Sequence, residues 1–141
     1  TGMSAVVYAT GATAADSHLA LVDLDAAGNF SAEFPNGNYQ IAVSTGHWLR
    51  KNVATTTTLA GSQVDVGTIS LVNGDIDFDN SITVFDYGIL SDYFDKSDAD
   101  ADWATVGSNG FAPADADLDG DGSVTVFDYG ILSNNFDQSG D

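Results

Sequence analysis

The 141-residue chain has no cysteine, and only three basic side chains, Arg50, Lys51 and Lys96, face 21 acidic ones. Without cysteine there are no disulfides and no thiolate metal sites. The formal net charge of −18 excludes nucleic acid as a partner, and an anionic membrane surface would repel the chain. No apolar run approaches the length of a membrane span. Residues suited to catalysis are equally scarce. Glu33 is the single glutamate, and His18 and His47 stand apart, with no second ligand or base at useful spacing. No nucleophile–base pair or acid–base carboxylate pair can be assembled from these, so the sequence reads as non-catalytic. His18 and His47 read as strand-end packing residues.

What the chain does have is an acidic stretch that occurs twice. Asp75-Ile-Asp-Phe-Asp-Asn-Ser-Ile-Thr-Val-Phe-Asp86 returns 42 positions later as Asp117-Leu-Asp-Gly-Asp-Gly-Ser-Val-Thr-Val-Phe-Asp128. Oxygen-bearing side chains at positions 1, 3, 5, 9 and 12 have the spacing of an EF-hand calcium loop. Calcium takes about six to eight hard oxygen ligands, which such a loop supplies when it folds round the ion. The expected ligands are Asp75, Asp77, Asp79, Ser81 through its carbonyl, Thr83 and Asp86. In the second copy they are Asp117, Asp119, Asp121, Ser123, Thr125 and Asp128. Position 6 needs a sharp turn, which Gly122 makes freely and Asn80 tolerates. Two calcium ions are therefore expected, one per loop, and the first site should be the weaker.

Each loop runs into the same apolar pattern, with Phe85, Ile89, Leu90 and Phe94 and then Phe127, Ile131, Leu132 and Phe136 at helical spacing. Thr83 and Thr125 can cap these helices, with an acid three positions on. No helix is expected to enter either loop. A strand-like run precedes Asp75, and Pro113 with a short small-residue segment precedes Asp117. Over residues 74–139 this tandem loop–helix pattern resembles the type I dockerin family. The resemblance implies two calcium ions, two roughly antiparallel helices with pseudo-two-fold symmetry, and docking onto a cohesin. Dockerins usually carry small hydroxyl residues at loop positions 10 and 11; here those positions are Val84-Phe85 and Val126-Phe127. Gly88 and Gly130 recur inside the helices, which points to a close helix approach there.

The charge is unevenly placed: residues 1–72 carry five acids and two bases, residues 73–141 sixteen acids and one lysine. This sets the expected boundary between two domains, 1–72 and 73–141. The first reads as short strands over 4–9, 19–24, 29–34, 39–44, 49–55 and 64–71, separated by Gly/Asn/Pro turns. That spacing argues for an all-β sandwich. The order of its strands resembles the carboxypeptidase regulatory and Cna-B prealbumin-like sandwiches, one strand short at the start. His47 to Lys51 reads as a strand end with an aromatic anchor. Asn29-Phe30-Ser31 is a glycosylation sequon, and the Thr55–Thr58 tract is a β-favouring run or an O-glycan site. Asp98, Asp100 and Asp102 alternate but lack a closing position-12 acid, so they read as a solvated connector with Trp103 packing onto the helices. The last residues, 137–141, are expected to fray.

Loops of this type suit millimolar extracellular calcium, so a secreted or cell-surface protein is expected. The chain starts at Thr1 with no signal peptide, which reads as a removed leader or an excised piece. Two assembly functions follow. In one, copies join into an extracellular fibre through the terminal strand Ser4-Ala5-Val6-Val7-Tyr8, whose unprotected edge would accept or donate a strand. In the other, residues 74–139 dock a larger polysaccharide-degrading enzyme or surface protein onto a cohesin-like scaffold, with Val84, Phe85, Val126 and Phe127 at the contact.

Overall fold

A computed structural model describes residues 3–53 and 56–141. The fold is mainly β-sheet with two helices, and it divides into two compact units. The first unit comprises residues 1–45, 50–71 and 141, and the second residues 46–49 and 72–140. Gly46–Leu49 and Val72 thus group with the acidic half of the chain, and Asp141 with the other. No helix among the described residues is long and apolar enough to cross a membrane.

The strands are β1 (Ser4–Thr10), β2 (His18–Asp23), β3 (Gly37–Thr45), β4 (Trp48–Asn52) and β5 (Thr57–Leu59), in the sheet order β2-β1-β3-β4. β3 is long enough to serve three partners, with β4 beside it in the sheet order. Its first residues, Gly37–Tyr39, pair antiparallel with β5, and Gln40–Thr45 pair antiparallel with β1. Alternation sets the buried face: Ala5, Val7 and Ala9 on β1 and Tyr39, Ile41 and Val43 on β3 are all buried. Partly buried Phe30, Ala32, Phe34, Leu59 and Ile69 pack against that cluster.

Four sequence expectations change in this unit. Ser4–Ala9 is not an open edge. β1 pairs with β2 through six residues on one side and with β3 through six on the other. The missing neighbour is therefore present, and Ser4, Ala5, Val6, Val7 and Tyr8 are committed to the centre of the sheet. An apolar strand without proline, charge or bulge is built for such a place. Residues 29–34 do alternate inward but join no ladder. Residues 64–71 form no strand either; Gly67 takes a positive φ of 77° and Val64 is 44% exposed. β4 stops at Asn52 and Val53 is outside the strand; the rest of the expected run to Thr55, like the start of the Thr55–Thr58 tract, lies outside the described residues. His18 packs as expected, edge-on to Tyr39 with ring centroids 6.1 Å apart.

The second unit holds α1 (Val84–Asp92) and α2 (Val126–Asn134), nine residues each. Ile76, Ile82, Leu90, Leu118, Val124 and Leu132 form its core, with Leu49 buried among them and Trp103 packed against it. What precedes each loop differs. Pro113–Ala116 make a short 3-10 turn before the second loop. Before the first, the backbone is extended, and its Leu49 N–H donates to Val72 O at 2.7 Å. The carbonyl of His47 then receives the N–H groups of Gly74 and Asp75 at 2.8 and 3.0 Å. His47 and Leu49 thus hold the backbone that leads into the first loop.

Candidate metal centres and an apolar helix surface

Both loops fold through the same local chemistry. Position 6 takes positive φ, 68° at Asn80 and 88° at Gly122, and its N–H donates to the position-1 carboxylate: Asn80 to Asp75 at 3.1 Å, Gly122 to Asp117 at 2.9 Å. Position 4 is also left-handed, at φ 62° in Phe78 and 76° in Gly120. A bulky residue there costs about 1–2 kcal/mol, so the first loop carries two strained residues where the second has two glycines. Thr83 and Thr125 cap α1 and α2 by accepting from Phe85 N and Phe127 N at 3.2 Å. Asp86 and Asp128 return the contact, accepting from Thr83 N and Thr125 N at 2.7 Å.

The position-12 carboxylates are fully buried and reach across their loops. Asp86 Oδ1 accepts from Ile76 N at 2.6 Å and Asp77 N at 3.1 Å; Asp128 Oδ1 accepts from Leu118 N at 2.7 Å and Asp119 N at 3.1 Å. Two groups of carboxylates come together closely enough for one cation. In the first, ligand atoms of Asp75, Asp77 and Asp86 lie within 4.8 Å of one another; in the second, those of Asp117, Asp119 and Asp121 do. Asp79 and Asp128 stand outside these tight groups. Asp79 Oδ1 accepts from Ser81 N at 2.8 Å, as Asp121 Oδ1 does from Ser123 N at 2.9 Å.

The first group shows what such crowding costs. Asp75 is only 4% exposed, and its Oδ1 is buried with no hydrogen-bond partner. Burial pushes this carboxyl up to about 6; the Asn80 N–H opposes the rise, and the charges of Asp86, Asp77 and Asp79 add to it. Burial, and then the Asp86 charge, also raise Asp77. An orphaned buried carboxylate oxygen facing two more carboxylates is an arrangement a hard cation would satisfy. The connector acids have other partners. Asp102 holds Lys96 at 2.9 Å, and Asp100 accepts from Ser97 N at 2.8 Å.

Beyond the loops, the two helices expose matched apolar residues. Val84 and Val126 are each 61% exposed, and Phe85 and Phe127 are each 70% exposed. Tyr87 and Tyr129 meet edge-on between the helices, with centroids 5.6 Å apart. A hollow of about 310 Å³ lies beside them, lined by Leu90, Phe94 and Val126 among others. A second, of about 370 Å³, is lined by the repeat mates Leu132, Phe136 and Val84. The expected close approach at Gly88 and Gly130 is absent, since a Cβ built on either would meet nothing within 4 Å. The helices meet through the tyrosines instead.

No family model and no curated protein matches the sequence. Among solved structures, the chain is similar to a chain of an N-terminal interface mutant of the type II cohesin–X-dockerin complex from Acetivibrio cellulolyticus. The TM-score is 0.63 at 20% identity, covering 97% of this chain and 83% of that one. A C-terminal interface mutant of that complex gives a TM-score of 0.62, again at 20% identity, covering 96% and 83%. The fold is thus one found in cohesin–dockerin assemblies. Because the likeness runs over nearly the whole chain, it takes in both the β unit and the helical unit.

Proposed function

We propose that this chain is the dockerin-bearing side of a cohesin–dockerin type of assembly, non-catalytic, acting outside the cell, with calcium ordering the surface that the partner reads. Asp75, Asp77 and Asp86, with Asp79, Ser81 and Thr83 nearby, would hold one ion; Asp117, Asp119, Asp121, Ser123, Thr125 and Asp128 would hold the other. The ion supplies the positive charge that lets buried carboxylates share one loop. The chain's own residues do the rest: Thr83 and Thr125 start the helices, and Asp86 and Asp128 tie each helix to the far side of its loop.

The observation that carries the reading is the repeated apolar surface, Val84-Phe85 and Val126-Phe127, set directly between those ties. Large aromatic side chains left 70% exposed in both copies are characteristic of a contact surface. With apolar residues at positions 10 and 11, the fitting partner is a cohesin-type module with an apolar reading face. The loop–helix repeats favour the dockerin side over the cohesin side. The commitment of β1 to the sheet centre removes the argument for a fibre built on Ser4–Tyr8.

Calorimetry of the full chain against a purified type II cohesin, with calcium and then with chelator, tests this. Binding with calcium, lost on chelation, is expected. Phe85→Ser combined with Phe127→Ser should weaken it at least a hundredfold while helical circular dichroism is retained. Absence of binding, with sedimentation showing calcium-dependent self-association, would return the function to assembly of like copies.

A further inference from the structure

The residues that follow each helix do not fray. They cross to the other repeat. After α1, Asp95 N donates to Val124 O at 2.9 Å, Val124 N to Lys96 O at 2.8 Å, and Asp98 N to Gly122 O at 2.8 Å. After α2, the mates 42 positions on do the same for the first loop. Asp137 N donates to Ile82 O at 2.8 Å, Ile82 N to Gln138 O at 2.8 Å, and Gly140 N to Asn80 O at 2.9 Å. Bridges pair Ser97 with Ser123 and Ser81 with Ser139.

These bonds fall on loop positions 6 and 8. Position 6 is the left-handed turn that points its N–H at the position-1 carboxylate. Position 8, Ile82 or Val124, is fully buried and lies between the backbone that offers the position-7 carbonyl and the position-9 threonine. Each loop is therefore held in shape by the exit segment of the opposite helix, and each helix starts from the other loop.

We infer that the two ion loops are coupled through these exit segments, so that an ion in either loop raises the affinity of the other, and that residues 137–140 position the first site. The inference rests on the calcium reading above. Its physical basis is reciprocity. An ion that orders residues 80–83 fixes the strand partner of 137–140 and so the end of α2; α2 begins at the second loop, whose backbone is in turn held by 95–98. Any ligand that favours the ordered form at one loop favours it at both. Couplings of this kind are worth roughly 5- to 150-fold in affinity.

The test is calcium titration of the full chain followed by the Asn80 and Gly122 amide resonances, which report the two loops separately. Asp117→Ala with Asp119→Ala should abolish the second site and lower the first site's affinity at least fivefold. A chain ending at Phe136 should lose at least tenfold at the first site, whereas one ending at Gly140 should match the full chain. The second truncation removes only Asp141, whose carboxylate accepts from Asn52 N at 2.9 Å. Should the shorter truncation fail to fold, amide exchange of Ile82 decides the matter in the full-length variants. With saturating calcium, its protection should be lower in the Asp117→Ala, Asp119→Ala chain than in the parent. First-site affinity and Ile82 protection both unchanged by loss of the second site would overturn the coupling. No calcium uptake by the parent chain would instead sink the calcium reading itself.

Discussion

Replacing Gly88 and Gly130 with alanine should stabilise the helical unit. Both glycines sit inside nine-residue helices, neither is among the positive-φ glycines, and an added Cβ meets nothing within 4 Å. The methyl therefore introduces no clash, and what remains is the backbone entropy that glycine loses in a helix. That is about 1 kcal/mol per site, and about 2 for the pair if the sites act independently. The unit spans residues 46–49 and 72–140, which is 4 and 69, or 73 residues. For a unit of that size, 1 kcal/mol moves the melting temperature by about 4–8 °C, so the double variant should melt about 8–16 °C higher. Thermal and urea unfolding of the two single variants and the double, followed by helical circular dichroism in saturating calcium, would measure this. A loss of stability in either single variant would refute the reasoning, because it would mean that the methyl meets a neighbouring helix.

Chelation at neutral pH should remove most of the helical circular dichroism, because Asp75, Asp77 and Asp86 crowd within 4.8 Å and their charges repel without a cation; undiminished helix after chelation would contradict this. In the chelated protein, acid should restore stability. The Asp75 carboxyl lies at about 6 when folded against an ordinary 3.8, so the folded state binds more protons between those values. Stability then rises as pH falls from 6 towards 4, by on the order of 3 kcal/mol for this group, and urea midpoints across that window would show it. Asn80→Gly should tighten the first site by less than tenfold, since Asn80 already holds a φ of 68°; calorimetry showing weaker binding would mean that the asparagine side chain supports the loop.

How much of this was legible in the sequence depended on whether the chemistry was local. The loop–helix boundaries could be read at Thr83 and Thr125 because a capping box is four residues long and leaves its signature there. The left-handed turn at Asn80 could be read for the same reason, although the same demand at Phe78 went unseen because a phenylalanine hides it. The inward alternation of Phe30, Ala32 and Phe34 was legible, but the absence of a ladder was not, because pairing depends on a partner elsewhere in the chain. Leu49 reads as an ordinary strand residue, and nothing near it in sequence shows that it is buried with Ile76 and Leu118. The exit segments 95–98 and 137–140 are polar and short, and they carry no period that marks a strand. Their one signal was recurrence at the 42-residue spacing. Gly88 and Gly130 recur as well, and there recurrence misled, because a repeated glycine looks the same whether it faces a helix or open space.

The fate of the first strand turns on the same distinction and supplies the last prediction. In sequence Ser4–Ala9 reads as a free pairing edge because it lacks the charges, prolines and bulges that protect edges. The same lack suits a strand with neighbours on both sides. β1 has six paired residues with β2 and six with β3, and its inward side chains Ala5, Val7 and Ala9 are at most 2% exposed. Deleting residues 1–9 would not free an edge. It would part β2 from β3, expose Tyr39, Ile41 and Val43, and leave an unpaired edge on each of those strands in place of two ladders. The expected product is a chain with a collapsed β signal, no cooperative unfolding of that unit, and aggregation through the newly exposed strands. Circular dichroism, urea unfolding and size-exclusion chromatography of the truncated chain would test this. A soluble monomer with an intact β spectrum would show that β1 is dispensable and would restore it as a strand available to another molecule.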